Sequence, residues 1–223
     1  MSEADPVQRI RDLESENARL RGLLDTTGMP SALRHQVRNA LGIMRAILRR
    51  SIQGKTTIED LVAHVEGRFD ALLRVQTALL SSPDGRVDLA TLVSNELMAQ
   101  TIQDGEQATI DGPALRIGSR EAELLGLVVH ELATNAVKFG EADHIDVSWT
   151  LASPGSLTWI WAETAQTPRP QRPAFRGFGM EAIEVMLPYQ LKAEGRLEFL
   201  SEGVRCTVAM PLDPHGQAMS PQG

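Results

Sequence analysis

Up to about residue 80 the apolar residues of this chain recur at intervals of three and four, whereas from Asp88 onward helical runs alternate with runs of period two. A chain divided in this way predicts a helical N-terminal part followed by an α+β layer sandwich. In the helical part, Ile10, Leu13, Asn17, Leu20 and Leu24 fall at spacings of three, four, three and four, the a/d seam of a coiled coil roughly two heptads long. Asn17 takes an a position, where its amide is best satisfied against its own copy in a parallel, in-register pair. A single amphipathic helix packed on its own chain is the other outcome of the same pattern. Gly28 and Pro30 interrupt the seam, and Leu33, Val37, Leu41, Met44, Leu48 and Ser51 begin a second stripe that ends near Gly54. His35 lies off that stripe. Thr56 with Glu59 makes a capping box for a third helix, whose face of Ile58, Val62, Val65, Phe69, Leu72 and Leu79 runs to the break at Ser81, Ser82, Pro83 and Gly85. The two helices predict a hairpin wider in apolar surface than one partner covers, and its natural completion is a dimeric four-helix bundle.

After Asp88 the expected order is a helix over 89–98, a strand over 108–110, a long helix over 119–139 and strands over 145–151 and 157–163. A proline-rich loop, TPRPQRPAFR, then leads to a helix over 180–191 and two closing strands, RLEFL and VRCTVAM. The domains expected are therefore an N-terminal helix over 1–29, a hairpin over 30–84, a sandwich over 85–212 and a disordered tail over 213–223. A net charge of −7 over 223 residues leaves no basic footprint for nucleic acid or anionic membranes. The opening residues are polar, without an apolar signal region, and the longest aliphatic stretch, LLGLVV, is too short to span a bilayer. The expectation is a soluble, cytoplasmic chain with no membrane span. Cys206 is the one cysteine and sits in a strand run, so it reads as a buried, inert thiol.

The chemistry concentrates at the end of the long helix. Glu131, Asn135 and Lys138 recur at four and three, which puts a carboxylate, an amide and an ammonium on one face. Mg²⁺ needs only one or two protein oxygens because it keeps its waters and the substrate phosphates, so Asn135 suits it. Lys138, a turn further on, can neutralise phosphate oxygens, and Phe139 can cover a base. A solvated helix face with routine charges explains the same spacing. A zinc-protease reading of His130 and Glu131 fails because Thr134 stands where the second histidine ligand would be. Gly177 and Gly179, just before the predicted helix over 180–191, offer backbone N–H groups for phosphate. The same run fits a dinucleotide fingerprint in spacing, but follows a proline-rich loop where that motif needs a strand.

Taken together these pieces resemble the HWE-type histidine kinases. HQVRNALGIMRAILRRS at 35–51 is similar to the family's phosphoacceptor box, HELATNAVKFG at 130–140 to its nucleotide-binding box, and WAE at 161–163 to its tryptophan-x-glutamate element. GFGMEAIE is similar to its second glycine box, and FLSEGVRCTVAMPL to its closing hairpin. The order is the family's, across about residues 30–212. The resemblance implies a dimerisation bundle joined to a Bergerat-type ATP-binding sandwich. It implies ATP and Mg²⁺ as cofactors, with Asn135 as metal ligand, Glu131 beside it, Lys138 on phosphate and Phe139 on adenine. Glu163 would receive the adenine amino group, and Gly177 and Gly179 would let a lid close.

The reaction so implied is autophosphorylation of His35 by ATP, followed by transfer to an aspartate on a response regulator receiver domain. The protein would be a homodimer taking its signal from a separate sensor or upstream kinase. Gln36 stands where the family usually has arginine, and Thr164, Ala165 and Gln166 stand where it has a glycine pair. Two further readings follow from these departures: a histidine phosphotransferase with a degenerate ATP site, and a phosphatase-type regulator in which Asn39, one turn from His35, orients water. An anti-sigma-factor-like serine kinase would share the sandwich, but has no need of His35.

Overall fold

A computed structural model describes residues 6–26, 31–51, 57–139, 142–152, 155–165, 178–201 and 203–212. The expected tail over 213–223 lies outside the described residues. The chain divides between Asp70 and Ala71 into two compact units.

The first unit holds α1 (Pro6–Thr26), α2 (Ser31–Ser51) and the first half of α3 (Ile58–Ser81). The capping box expected of Thr56 with Glu59 falls on Thr56, which lies outside the described residues; next to it, Thr57 Oγ1 accepts from the Asp60 backbone N–H at 3.2 Å. α1 packs along α2. It buries Ile10 and Asn17 and leaves Leu13 44% and Leu20 39% exposed, so within one chain the two a positions turn inward and these two d positions face solvent. In α2, Leu41, Ile43, Ile47 and Leu48 are buried. Ile43 and Ile47 lie off the predicted stripe, so the described part of α2 is covered on more than one face.

The second unit is an α+β sandwich. Its sheet runs β2 (Ala108–Asp111), β4 (His144–Ala152), β5 (Ser156–Thr164), β7 (Gly203–Pro211) and β6 (Glu194–Leu200) in spatial order, parallel between β2 and β4 and antiparallel elsewhere. Parallel β2 and β4 need a long crossover, and α5 (Ser119–Phe139) lies on it. Alternate residues of β5, from Leu157 through Trp159 and Trp161 to Glu163, are buried, so one face of the sheet carries the core. Trp149 and Trp159 stand opposite each other in register, as expected of residues that pack a sheet. Cys206 is fully buried on β7, and burial pushes its thiol up to about 12.

The helical layer comprises α4 (Leu89–Ala99), α5 and a composite helix over 178–191. Asp88 caps α4 by accepting from the Thr91 backbone N–H at 2.8 Å. The composite helix was expected to be regular. It is α6 (Phe178–Glu181), a π-helical segment (Ala182–Met186) and α7 (Leu187–Leu191), and the Leu187 N–H bonds back to Ala182 O. Pro188 supplies the reason: it has no N–H to give and its ring crowds the carbonyl four residues back, so a widened turn lets the helix continue.

The C-terminal half of α3 belongs to this second unit. Ala71, Leu72, Val75 and Leu79 are buried, and a Cβ at Gly126 of α5 would lie 2.7 Å from Val75 Cγ2. Beyond α3, β1 (Val87–Asp88) pairs with β3 (Arg116–Ile117). Arg116 Nη2 reaches Ser82 Oγ, Asp84 Oδ1 and Arg86 O at 2.6–2.8 Å. The Ser82 hydroxyl, with Arg116 and the Arg86 N–H, holds the Asp84 carboxyl down at about 2.

Candidate functional site

α5 begins at Ser119 and ends at Phe139, the bounds read from its stripe, and is buried without interruption from Glu121 to Ala133. Its last turns emerge from the core. Glu131 is still buried, whereas Asn135, Lys138 and Phe139 are exposed. The spacing therefore gives a graded face: a carboxylate at the core boundary, then an amide, an ammonium and an aromatic ring within reach of a bound molecule.

α6 is set against the buried end of this face. A Cβ at Gly179 would lie 3.1 Å from Glu131 Cβ, so the absence of a side chain there lets the α6 backbone rest on Glu131. Gly179 was expected just ahead of its helix and instead lies within α6. Gly177 lies outside the described residues. Glu163, at the C-terminal end of β5, is buried, and its Oε1 accepts from Trp161 Nε1 at 3.1 Å. His35 and Asn39 lie four residues apart on α2, one helical turn, and their side chains lie outside the described residues.

Behind the exposed face runs a polar layer with no signature in the sequence. Glu96 of α4 is 1% exposed and takes a bidentate pair from Arg74 of α3, at 3.0 and 2.6 Å. His130 Nδ1 lies 3.6 Å from Glu96 Oε2, beyond hydrogen-bond distance. Burial works to raise the Glu96 carboxyl, but His130 and Arg74 outweigh it and hold it below its ordinary value. About two turns before Glu131, Glu123 of α5 is also 1% exposed, and its Oε1 accepts from Gln76 Nε2 at 2.6 Å. Burial pushes its carboxyl up to about 7.

Among the described residues no cluster of three or more His, Cys, Asp or Glu could hold a metal ion as a protein cage. Two oxygen-bearing side chains on one helix face, Glu131 and Asn135, nevertheless fit Mg²⁺, which takes its remaining ligands from water and phosphate. No helix among the described residues is long and apolar enough to cross a membrane.

The family model for HWE histidine kinases matches residues 32–114. Blue-light-activated histidine kinase 1 of Erythrobacter litoralis is 26% identical over 188 residues, which is 81% of this chain and 52% of that protein. The blue-light-activated histidine kinase of Brucella ovis is 26% identical over 187 residues, 81% of this chain and 38% of that protein. The chain thus spans about half or less of the curated relatives it matches. In fold it resembles the solved Erythrobacter litoralis EL346 blue-light activated histidine kinase, with a TM-score of 0.58 at 15% identity over 83% of this chain and 64% of that one. It also resembles the separate histidine kinase domain of that protein, with a TM-score of 0.55 at 15% identity over 92% of this chain and 94% of that one. Over residues 32–114 the chain is similar to the HWE histidine kinases, the family that its sequence boxes resemble.

Proposed function

We propose that this protein is an ATP-dependent histidine kinase whose phosphoacceptor is His35 and which passes the phosphoryl group to an aspartate of a response regulator, as a cytoplasmic homodimer. The observation that carries the reading is the graded face of α5 with α6 resting on it: buried Glu131 against Gly179, then exposed Asn135, Lys138 and Phe139. A nucleotide needs those groups in that order, from metal and phosphates out to a base. The family match over residues 32–114 includes His35.

In this reading Phe139 packs on adenine and Glu163 accepts its amino group. Lys138 neutralises phosphate oxygens. Gly177 and Gly179 keep the backbone close to the phosphates. Asn135, with Glu131 beside it, holds Mg²⁺, which when bound neutralises charge on the phosphates. A neutral imidazole nitrogen of His35 attacks the γ-phosphorus in line, the bond from that phosphorus to the bridging oxygen breaks, and ADP leaves with the electron pair. The ring nitrogen keeps the phosphoryl group and the imidazole loses its proton to solvent. Asn39, four residues along α2 from His35, would serve the reverse, phosphatase direction by orienting water at an acyl phosphate.

Incubating the protein with γ-labelled ATP and Mg²⁺ tests this. The label should be acid-labile and alkali-stable, as on a phosphoramidate, and His35→Ala should carry none while still binding ATP. Label on serine, threonine or another histidine overturns the assignment. Loading of the wild type, but not of His35→Ala, from a phosphorylated response regulator, without autophosphorylation, would make it a phosphotransferase instead.

A further inference from the structure

We propose that Trp161 is a positioning residue for adenine recognition, its indole N–H fixing the plane and reach of the Glu163 carboxylate. This rests on the reading above in which Glu163 accepts the adenine amino group.

Trp161 and Glu163 are two apart on β5, so they share the buried face of the strand. Trp161 is fully buried and Glu163 is 6% exposed, with Trp161 Nε1 donating to Glu163 Oε1 at 3.1 Å. A glutamate has three side-chain torsions and in isolation samples many rotamers. Bonding one oxygen to a rigid ring, itself locked in the core, removes most of that freedom and sets the direction in which the carboxylate presents itself. The other side is fixed as well. A Cβ at Gly203 of β7 would run into the Glu163 carbonyl oxygen and come within 3.4 Å of Glu163 Cβ, so the neighbouring strand closes on the residue and confines it.

Packing alone does not demand this bond. Trp159, two residues back on the same face and also fully buried, leaves its Nε1 with no hydrogen-bond partner among the described residues. The core therefore accommodates an indole there whose N–H is unused, and the Trp161 bond is available for orienting Glu163. A tryptophan two residues before the glutamate provides a donor that an aliphatic or phenyl ring of similar bulk lacks.

The test is calorimetric binding of ADP, and of purine riboside diphosphate, which lacks the amino group, to the full chain with Mg²⁺. Trp161→Phe should weaken ADP about tenfold, the scale of one hydrogen bond to a carboxylate, and leave the amine-free nucleotide nearly unchanged. The benzothiophene isostere of the Trp161 ring, which keeps shape and loses only the N–H, should do the same even if Trp161→Phe folds poorly. In a Glu163→Ala background Trp161→Phe should cost ADP nothing further, and Trp159→Phe should not discriminate between the nucleotides. Equal weakening of both nucleotides by the isostere would reduce Trp161 to packing and overturn the proposal. So would an indifferent isostere beside a Glu163→Ala that does discriminate. If Glu163→Ala itself fails to discriminate, the adenine assignment of Glu163 falls, and the positioning role falls with it.

Discussion

Asn135 and Glu123 sit three turns apart on one helix and meet opposite environments. Asn135 is exposed at the mouth of the candidate site, so its loss leaves no cavity, and Asn135→Ala should keep the melting temperature within the small range of surface substitutions. Mg²⁺-dependent nucleotide binding should fall by at least about a hundredfold, the scale lost when a group is removed from such a site. Calorimetry with and without Mg²⁺ checks this, and tight Mg²⁺-dependent binding by the folded variant would refute the ligand role. Glu123 is a group of the interior, with Gln76 bonded to it and Arg120 and Glu121 as the charges it feels. Its carboxyl is raised in the folded chain from 4.5 to about 7. Between those values the folded state holds the proton and the unfolded chain does not. Its contribution is therefore full below the unfolded value and is lost as pH rises through the folded one. Denaturant unfolding from pH 4.5 to 8 should show stability declining by up to about 3 kcal/mol on this account. Glu123→Gln should flatten that slope, and an unchanged slope would remove Glu123 as its cause.

At the scale of elements, α3 is fastened to the sandwich by contacts that leave little slack. The Gly126 backbone meets Val75 so closely that an added Cβ lies 2.7 Å from a methyl carbon. Gly126→Ala should therefore destabilise by about 1–3 kcal/mol despite alanine's better helix propensity. Val75→Ala should recover part of that loss in the double variant, because the clash and the methyl are one interaction. Additive losses in denaturant melts would show that the two helices do not meet there. Such contacts also mark where sequence reading stops. The bounds of α5 were legible because a helix of twenty-one residues repeats its apolar stripe many times over. The β1–β3 ribbon was not, since a two-residue strand carries no period. Nor was the π-helical segment: Pro188 announced a disturbance, but how the helix absorbs it depends on its packing against β6 and α5. Within the site, the shared face of Glu131, Asn135 and Lys138 follows from spacing alone. The two-residue step from Trp161 to Glu163 implied a shared face but not a bond. The Arg74–Glu96 pair spans 22 positions, and no local pattern encodes it.

For the molecule as a whole, α1 poses a choice between two ways of using one heptad pattern. Against its own α2 it buries Ile10 and Asn17, and Asn17 Oδ1 then has no hydrogen-bond partner among the described residues. An unmet acceptor of that kind costs about 1–3 kcal/mol. Leu13 and Leu20, meanwhile, stand exposed at 44% and 39%. A parallel pair of α1 helices would bond the two Asn17 amides to each other and cover both leucines, at the cost of the contact with α2. Sedimentation of the full chain at micromolar concentration should therefore give a dimer. Asn17→Leu puts an apolar side chain in place of a buried amide, unmet against α2 and paired in the coil, and should raise the melting temperature in both arrangements. Only in the paired arrangement does it also remove the residue that fixes register and strand number, so only there should the variant populate species beyond the dimer as concentration rises. A monomeric wild type would sink the seam. A stabilised Asn17→Leu whose mass stays that of a dimer at every concentration would place Asn17 against α2 and leave dimerisation to the helices that follow.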